Sequence, residues 1–383
     1  MTATPNYLSD YKELYQQNPR QANLEWFKNA RWGLFMHYGL YSQMANGEWI
    51  MYRHDPPIPI AEYEKLFDSF NPKNFDADFI TDLALEAEMK YINITACHHE
   101  GFCLWKSDTE AYNSYNACKR DLVRELAEQC DKKGLGFFAY YTHALNWRHP
   151  YAIPRDILEM GRPDYDFNDP CYLFKKDEDV AKYWEYAHAC MKELLELEYP
   201  LAGIWLDIIF GYYKQPEFIR IEDTYKLIRE TRPDILLAFK QGATGTEDFA
   251  SPEFSFSSMG DHMRKIGCEE GAKLADAAWE KNRTKHNEIC MTLQRQQWGY
   301  AKGMEHYNAD EIWSRLAYAL KNNCNMLTNT GPLPDGSIHP DDVISLREVG
   351  KRIREKGWPT PDEAIIPDSW SAPQKDDNVA AVG

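Results

Sequence analysis

Residues 202–209 read AGIWLDII. Ile204, Trp205, Leu206, Ile208 and Ile209 form a β-branched and aromatic run, the composition of a strand buried on both faces, and a single carboxylate, Asp207, stands near its end. Similar runs occur at 32–39 (WGLFMHYG), 90–97 (KYINITAC), 135–142 (LGFFAYYT), 235–240 (ILLAFK), 254–258 (FSFSS), 288–293 (EICMTL) and 325–330 (NMLTNT). Stretches of helical periodicity separate them. That alternation predicts βα units around a parallel sheet, and eight strands are what a closed (β/α)8 barrel requires. The reading is therefore of an α/β protein with one TIM-like barrel domain over residues 1–357.

The helices carry their own marks. In 176–198, Val180, Tyr183, Ala187, Met191 and Leu194 recur at intervals of three and four, which gathers them on one face and leaves acidic residues opposite. In 340–356, Pro340, Asp341 and Asp342 suit a first turn, and Gly357 stands where a terminating glycine belongs. Beyond it, 358–383 is rich in Pro and Asp with little periodicity and reads as a tail rather than a further β-sandwich domain.

Composition narrows the function. A formal charge of −17 argues against a nucleic-acid partner, since phosphate binding needs clustered Lys and Arg. No run approaches the length of a membrane span. The start, MTATPNYLSDYKELYQQ, lacks the basic and apolar regions of a secretory signal, so the chain is expected to be cytoplasmic or the mature form of an exported protein. Nine cysteines lie singly, without zinc-type spacing, and read as mostly reduced and buried. The 12 Trp and 24 Tyr suit a surface that holds sugar rings, although most must be core.

Barrel active sites sit at the C-terminal ends of the strands, so polar residues there are the candidates for chemistry. The first strand runs into His37 and Tyr38, with Glu48 and Trp49 coming after. The second runs into His98, His99 and Glu100, and the fourth ends on Asp207. A carboxylate at the end of an apolar strand is costly to desolvate unless something uses it, the plainer alternative being a helix cap or a paired structural Asp. Paired histidines in an extended strand point to opposite sides, so both enter one site only if the strand end is distorted.

The ordered series WGLFMHYGLYS, EWIMYR, HHEGFCLW, IWLD, QWGY and NMLTNTGPLPDGSI, spread over residues 32–338, resembles the motifs of the α-L-fucosidases of glycoside hydrolase family 29. The resemblance implies a retaining exo-glycosidase on a (β/α)8 barrel. It needs no cofactor or metal and acts on a fucosylated oligosaccharide or glycoconjugate. Asp207 matches the family's nucleophile, and His37, Glu48, Trp49, His98, His99, Trp205 and Lys240 match positions that line the sugar pocket. Departures are Cys97 for a Lys before the His pair, Glu100 for an Asp after it, Tyr38 for a Trp, Ile208 for a Gly after the nucleophile, and Lys240 where Arg is common.

The second carboxyl is open, chiefly between two glutamates, with Glu48 among the remaining candidates. Glu253 resembles the acid/base placement of bacterial members and is preferred; Glu288 resembles that of animal members. A retaining scheme requires the two carboxyls about 5–5.5 Å apart. Two other readings compete. One is a metal-dependent barrel hydrolase with His37, His98, His99 and Asp207 as ligands. The other is an inactive barrel that only binds carbohydrate.

Overall fold

The computed structural model describes residues 3–364. Eight strands form one sheet: β1 (Trp32–Met36), β2 (Tyr91–Cys97), β3 (Gly136–Tyr141), β4 (Gly203–Leu206), β5 (Leu236–Phe239), β6 (Phe249–Ala250), β7 (Asn287–Thr292) and β8 (Cys324–Thr330). All pair in parallel, in the spatial order β6-β5-β4-β3-β2-β1-β8-β7. The two ends of that order meet through single bonds. Cys290 N–H donates to Pro252 O at 3.1 Å, and Phe254 N–H donates to Cys290 O at 3.0 Å. The result is a near-closed (β/α)8 barrel.

Side-chain alternation along each strand sorts the apolar residues into two layers. Phe35, Tyr91, Phe138, Tyr140, Trp205, Ala238, Phe249, Cys290 and Leu327 pack together inside the barrel. Their neighbours, such as Leu34, Ile92, Ala139 and Ile204, pack outward against the helices. The strands read as continuous apolar runs because both faces are buried. At the N-terminal end of the barrel, the helix Pro19–Ala30 acts as a plug: Trp26 and Phe27 join the interior layer, and Phe27 stacks on Phe249 with ring centres 4.1 Å apart. Pro19 at its first position, with the Asn18 side chain accepting from Gln21 N–H, fixes where it starts.

Several expected elements shift. The first strand, expected over 32–39, ends at Met36, and the fourth, expected over 202–209, ends at Leu206. The sixth strand is Phe249–Ala250, not 254–258. Pro252 has no N–H to give to a ladder, and Phe254 takes a φ of 59°, so FSFSS forms a bend over the barrel mouth in which Phe254 and Phe256 are half-buried. Its alternation of Phe and Ser imitated a strand. The helix expected over 176–198 begins with a 3-10 turn, Asp177–Asp179, and its α-helical part is Val180–Leu195. The helix Pro340–Lys356 matches its expected range, and Gly357 comes after it at a φ of 83°, a backbone conformation that a side chain would strain. Of the segment 358–383, residues from 365 onward lie outside the described residues. Among the described residues no helix joins β5 to β6, and no helix is long and apolar enough to cross a membrane.

Candidate active site

The residues just past the strand ends gather at one rim of the barrel. His37 directly succeeds β1, His98 and His99 succeed β2, Asp207 succeeds β4, Lys240 succeeds β5, and Glu253 lies three residues past β6. Together with Glu48, Trp49 and Trp205 they line a single cavity of about 630 Å³, measured out to its mouth. Glu288 does not line it. As the second residue of β7, Glu288 sits deeper in the barrel. There its carboxylate accepts from Tyr91 OH (2.5 Å), Ser251 Oγ (2.7 Å) and Trp205 Nε1 (3.1 Å). Burial pushes its pKa up to about 7 despite those donors.

Asp207 is held on both oxygens. Ile208 N–H donates to Oδ1 at 2.6 Å and Tyr140 OH donates to Oδ2 at 2.9 Å. Burial, and then the Asp207 charge, push the Tyr140 hydroxyl well above its ordinary pKa, so it stays a proton donor. The short bond from Ile208 comes with a φ of 66° at a β-branched, buried residue, a conformation that a glycine would adopt without strain.

Lys240 joins two of the three cavity carboxylates, Asp207 and Glu253. Its Nζ lies 3.0 Å from Glu253 Oε2 and 3.7 Å from Asp207 Oδ1. Burial disfavours the ammonium, but the two carboxylates outweigh it and raise the Lys240 pKa well above its usual value. Two contacts to one nitrogen confine these carboxylate oxygens to within roughly 7 Å of each other, a limit that admits the spacing of a retaining pair. The other Glu253 oxygen accepts from Trp298 Nε1 at 2.8 Å.

The opposite wall is polar, and its imidazoles are neutral. His37 Nδ1 lies 2.6 Å from Asn329 Oδ1, while Asn329 Nδ2 donates to Trp298 O at 2.7 Å. The amide is thereby oriented with its oxygen toward the ring, so His37 carries its proton on Nδ1 and leaves Nε2 as an acceptor. Burial drops the His37 pKa to about 3, and burial likewise holds His98 and His99 well below the usual histidine range. His99 Nδ1 pairs with Thr142 Oγ1 at 2.5 Å, whereas the buried His98 Nδ1 has no hydrogen-bond partner. Glu48 Oε2 accepts from Gly299 N–H at 2.7 Å, and burial raises its pKa. That approach needs a glycine, since a Cβ on residue 299 would stand 2.8 Å from Glu48 N.

Trp205 forms the floor, stacked on Tyr140 with ring centres 5.5 Å apart. Trp49 meets His99 edge-on at 4.9 Å, with the Arg53 guanidinium over its ring. The cavity also gathers Phe35, Arg53, Tyr140, Phe254, Gln296 and Trp298, which the sequence reading did not single out. Alternation from Phe138 could have found Tyr140, and the QWGY motif contains Trp298. Arg53 closes the EWIMYR motif, and nothing local marks Gln296. No set of three or more His, Cys, Asp or Glu side chains converges as a metal site among the described residues, so His37, His98, His99 and Asp207 share a cavity without forming a ligand cluster.

Two carboxylates at one cavity mouth, facing neutral imidazoles and aromatic rings, are what glycosidic bond cleavage asks for. A sequence model described as alpha-L-fucosidase matches residues 2–357. The chain belongs to the α-L-fucosidase family. It is a glycoside hydrolase of that family, and its relatives agree with the observed architecture. Plasma α-L-fucosidase of Rattus norvegicus is 25% identical over 95% of this chain and 78% of its own length. Among solved structures, α-L-fucosidase isoenzyme 1 from Paenibacillus thiaminolyticus aligns with a TM-score of 0.71 and 28% identity, over 89% of this chain and 77% of that one. The α-L-fucosidase AlfC from Lactobacillus casei, in complex with α-L-fucose product, aligns with a TM-score of 0.69 and 25% identity, over 87% and 99% of the two chains.

Proposed function

We propose that the chain hydrolyses terminal α-L-fucosyl residues of oligosaccharides or glycoconjugates with retention of configuration, with Asp207 as nucleophile and Glu253 as acid/base. The observation that carries this reading is that Asp207 and Glu253 line one cavity within reach of the same Lys240 ammonium. Two relatives' structures support the sugar: AlfC was solved with α-L-fucose, and a variant of it with the disaccharide of fucose α1,6-linked to N-acetylglucosamine.

Each residue has its own part in the reaction. Tyr140 and the Ile208 N–H orient the Asp207 carboxylate toward the anomeric carbon. Asp207 attacks while Glu253 gives its proton to the departing oxygen, leaving a covalent glycosyl ester on Asp207. Glu253 then takes a proton from water, which attacks the same carbon and releases the sugar. Lys240 offsets the charge that moves between the two carboxyls. His37 Nε2 and the Glu48 carboxylate accept from sugar hydroxyls, while the Trp49 and Trp298 rings face the apolar C–H surface and the methyl group.

Glu253 rather than Glu288 suits the acid/base role because a general acid must reach the leaving oxygen. Glu253 stands on the cavity wall; the Glu288 carboxylate does not line the cavity and is occupied by three donors. The same intact pair favours catalysis over mere carbohydrate binding.

The test is Asp207→Gly assayed on an aryl α-L-fucoside. Turnover should fall by about a thousandfold or more, with partial recovery on adding azide, which enters the vacated space. Retention of more than about a tenth of the wild-type rate without azide would remove Asp207 from the mechanism.

A further inference from the structure

The catalytic cavity does not end at its carboxylates. A second lobe of about 360 Å³ meets it at Asp207, Lys240 and Glu253 and extends away from the histidine wall. Its other walls are Met160, Ile208, Ile209, Phe210 and Met259, with Gln241 the one neutral polar side chain. Met160 lies in the 3-10 turn Glu159–Gly161, between β3 and Val180–Leu195; Phe210 opens the short helix Phe210–Lys214 after β4; and Met259 directly precedes the helix Gly260–Lys265. Three separate segments thus bring apolar side chains to one side of the carboxylate pair. Met160, Phe210 and Met259 are only half-buried.

We propose that this lobe receives the leaving group and selects aglycones that present a continuous apolar surface beside the glycosidic oxygen, such as an aryl ring or the methyl and C–H face of an acetamido sugar. The assignment rests on the catalytic reading above and extends it to substrate choice. With the fucosyl ring against the polar wall of His37, His98, His99 and Glu48, Glu253 stands at the boundary between the two lobes. The group whose oxygen it protonates therefore lies on the far side. A hydroxyl-rich aglycone there would lose water and find few partners, since Gln241 alone offers neutral polar atoms. An apolar patch loses nothing by leaving water, and the unbranched methionine side chains adapt to its outline.

The experiment compares two substrates that share the sugar and differ in the leaving group: 4-nitrophenyl α-L-fucoside, whose ring enters the lobe, and α-L-fucosyl fluoride, whose leaving ion does not fill it. Met160→Gln, Met259→Gln and the double variant keep side-chain length while adding polar atoms. Because kcat/KM reports formation of the glycosyl enzyme for both substrates, the ratio of aryl to fluoride kcat/KM isolates the lobe and cancels any loss of folded protein. That ratio should fall about tenfold in the double variant, with smaller falls in the single ones. A wild-type ratio in all three variants would overturn the assignment of the lobe while leaving the catalytic reading standing. Wild-type protein that turned over neither substrate would overturn the catalytic reading, and this assignment with it.

Discussion

At the residue scale, the two glutamates part company through what surrounds them. Glu253 is half-buried, bonded to Trp298 Nε1 and Lys240; Glu288 is fully buried among Tyr91, Ser251 and Trp205. A general acid matters most when the leaving oxygen is a poor leaving group. Glu253→Ala should therefore nearly abolish cleavage of a fucosylated oligosaccharide, yet leave a burst of aryl alcohol from an activated fucoside, with azide clearing the intermediate as a fucosyl azide of retained configuration. Glu288→Ala should lower all substrates alike. A burst and azide rescue in Glu288→Ala instead, measured by stopped-flow absorbance, would transfer the role. Sequence spacing left this choice open because two glutamates on neighbouring strand segments differ in depth along the barrel axis, which only the register of β7 reveals.

Among the elements, β4 was legible in AGIWLDII because an apolar run with one carboxylate near its end has few other uses, although the strand stops at Leu206 rather than continuing to residue 209. What the run did not reveal is the left-handed backbone of Ile208 that brings its N–H to Asp207. This yields a stability prediction. Ile208→Ala and Ile208→Gly both lose a buried side chain, but alanine keeps the left-handed penalty, so the glycine variant should be the more stable by about 1 kcal/mol in urea unfolding. The opposite order would mean that residue 208 does not hold a positive φ. The sixth strand was misplaced for a related reason. Phe249–Ala250 is too short to show a period, whereas the bend at FSFSS shows one by accident. The histidine pair was the reverse case. His98 and His99 both reach the cavity because they lie past the last residue of β2, where the register with β3 shifts between Thr95 and Cys97 and strict alternation no longer applies.

At the scale of the whole molecule, the barrel stores ionisable groups in its interior, and its stability should report them. Burial raises Glu100 and Glu288 to about 7 from an ordinary 4.5. The folded state thus holds these protons more tightly than the unfolded chain. Their contribution is full below about pH 4.5 and is lost as pH rises through about 7. Glu288→Gln, which cannot ionise, should remove part of that slope, on the order of 3 kcal/mol at most between pH 5 and 8. Chemical denaturation of wild type and variant at both pH values checks this, and parallel slopes would show that Glu288 titrates normally in the fold.

The covalent intermediate itself decides the central claim, that Asp207 and Glu253 form a retaining pair. Incubation with 2-deoxy-2-fluoro-fucosyl fluoride, then proteolysis and mass spectrometry, should find the sugar esterified to Asp207 within the peptide that contains Ile204-Trp205-Leu206-Asp207, with activity lost in step with labelling. Labelling at another carboxylate, or inactivation without any covalent adduct, would contradict the account.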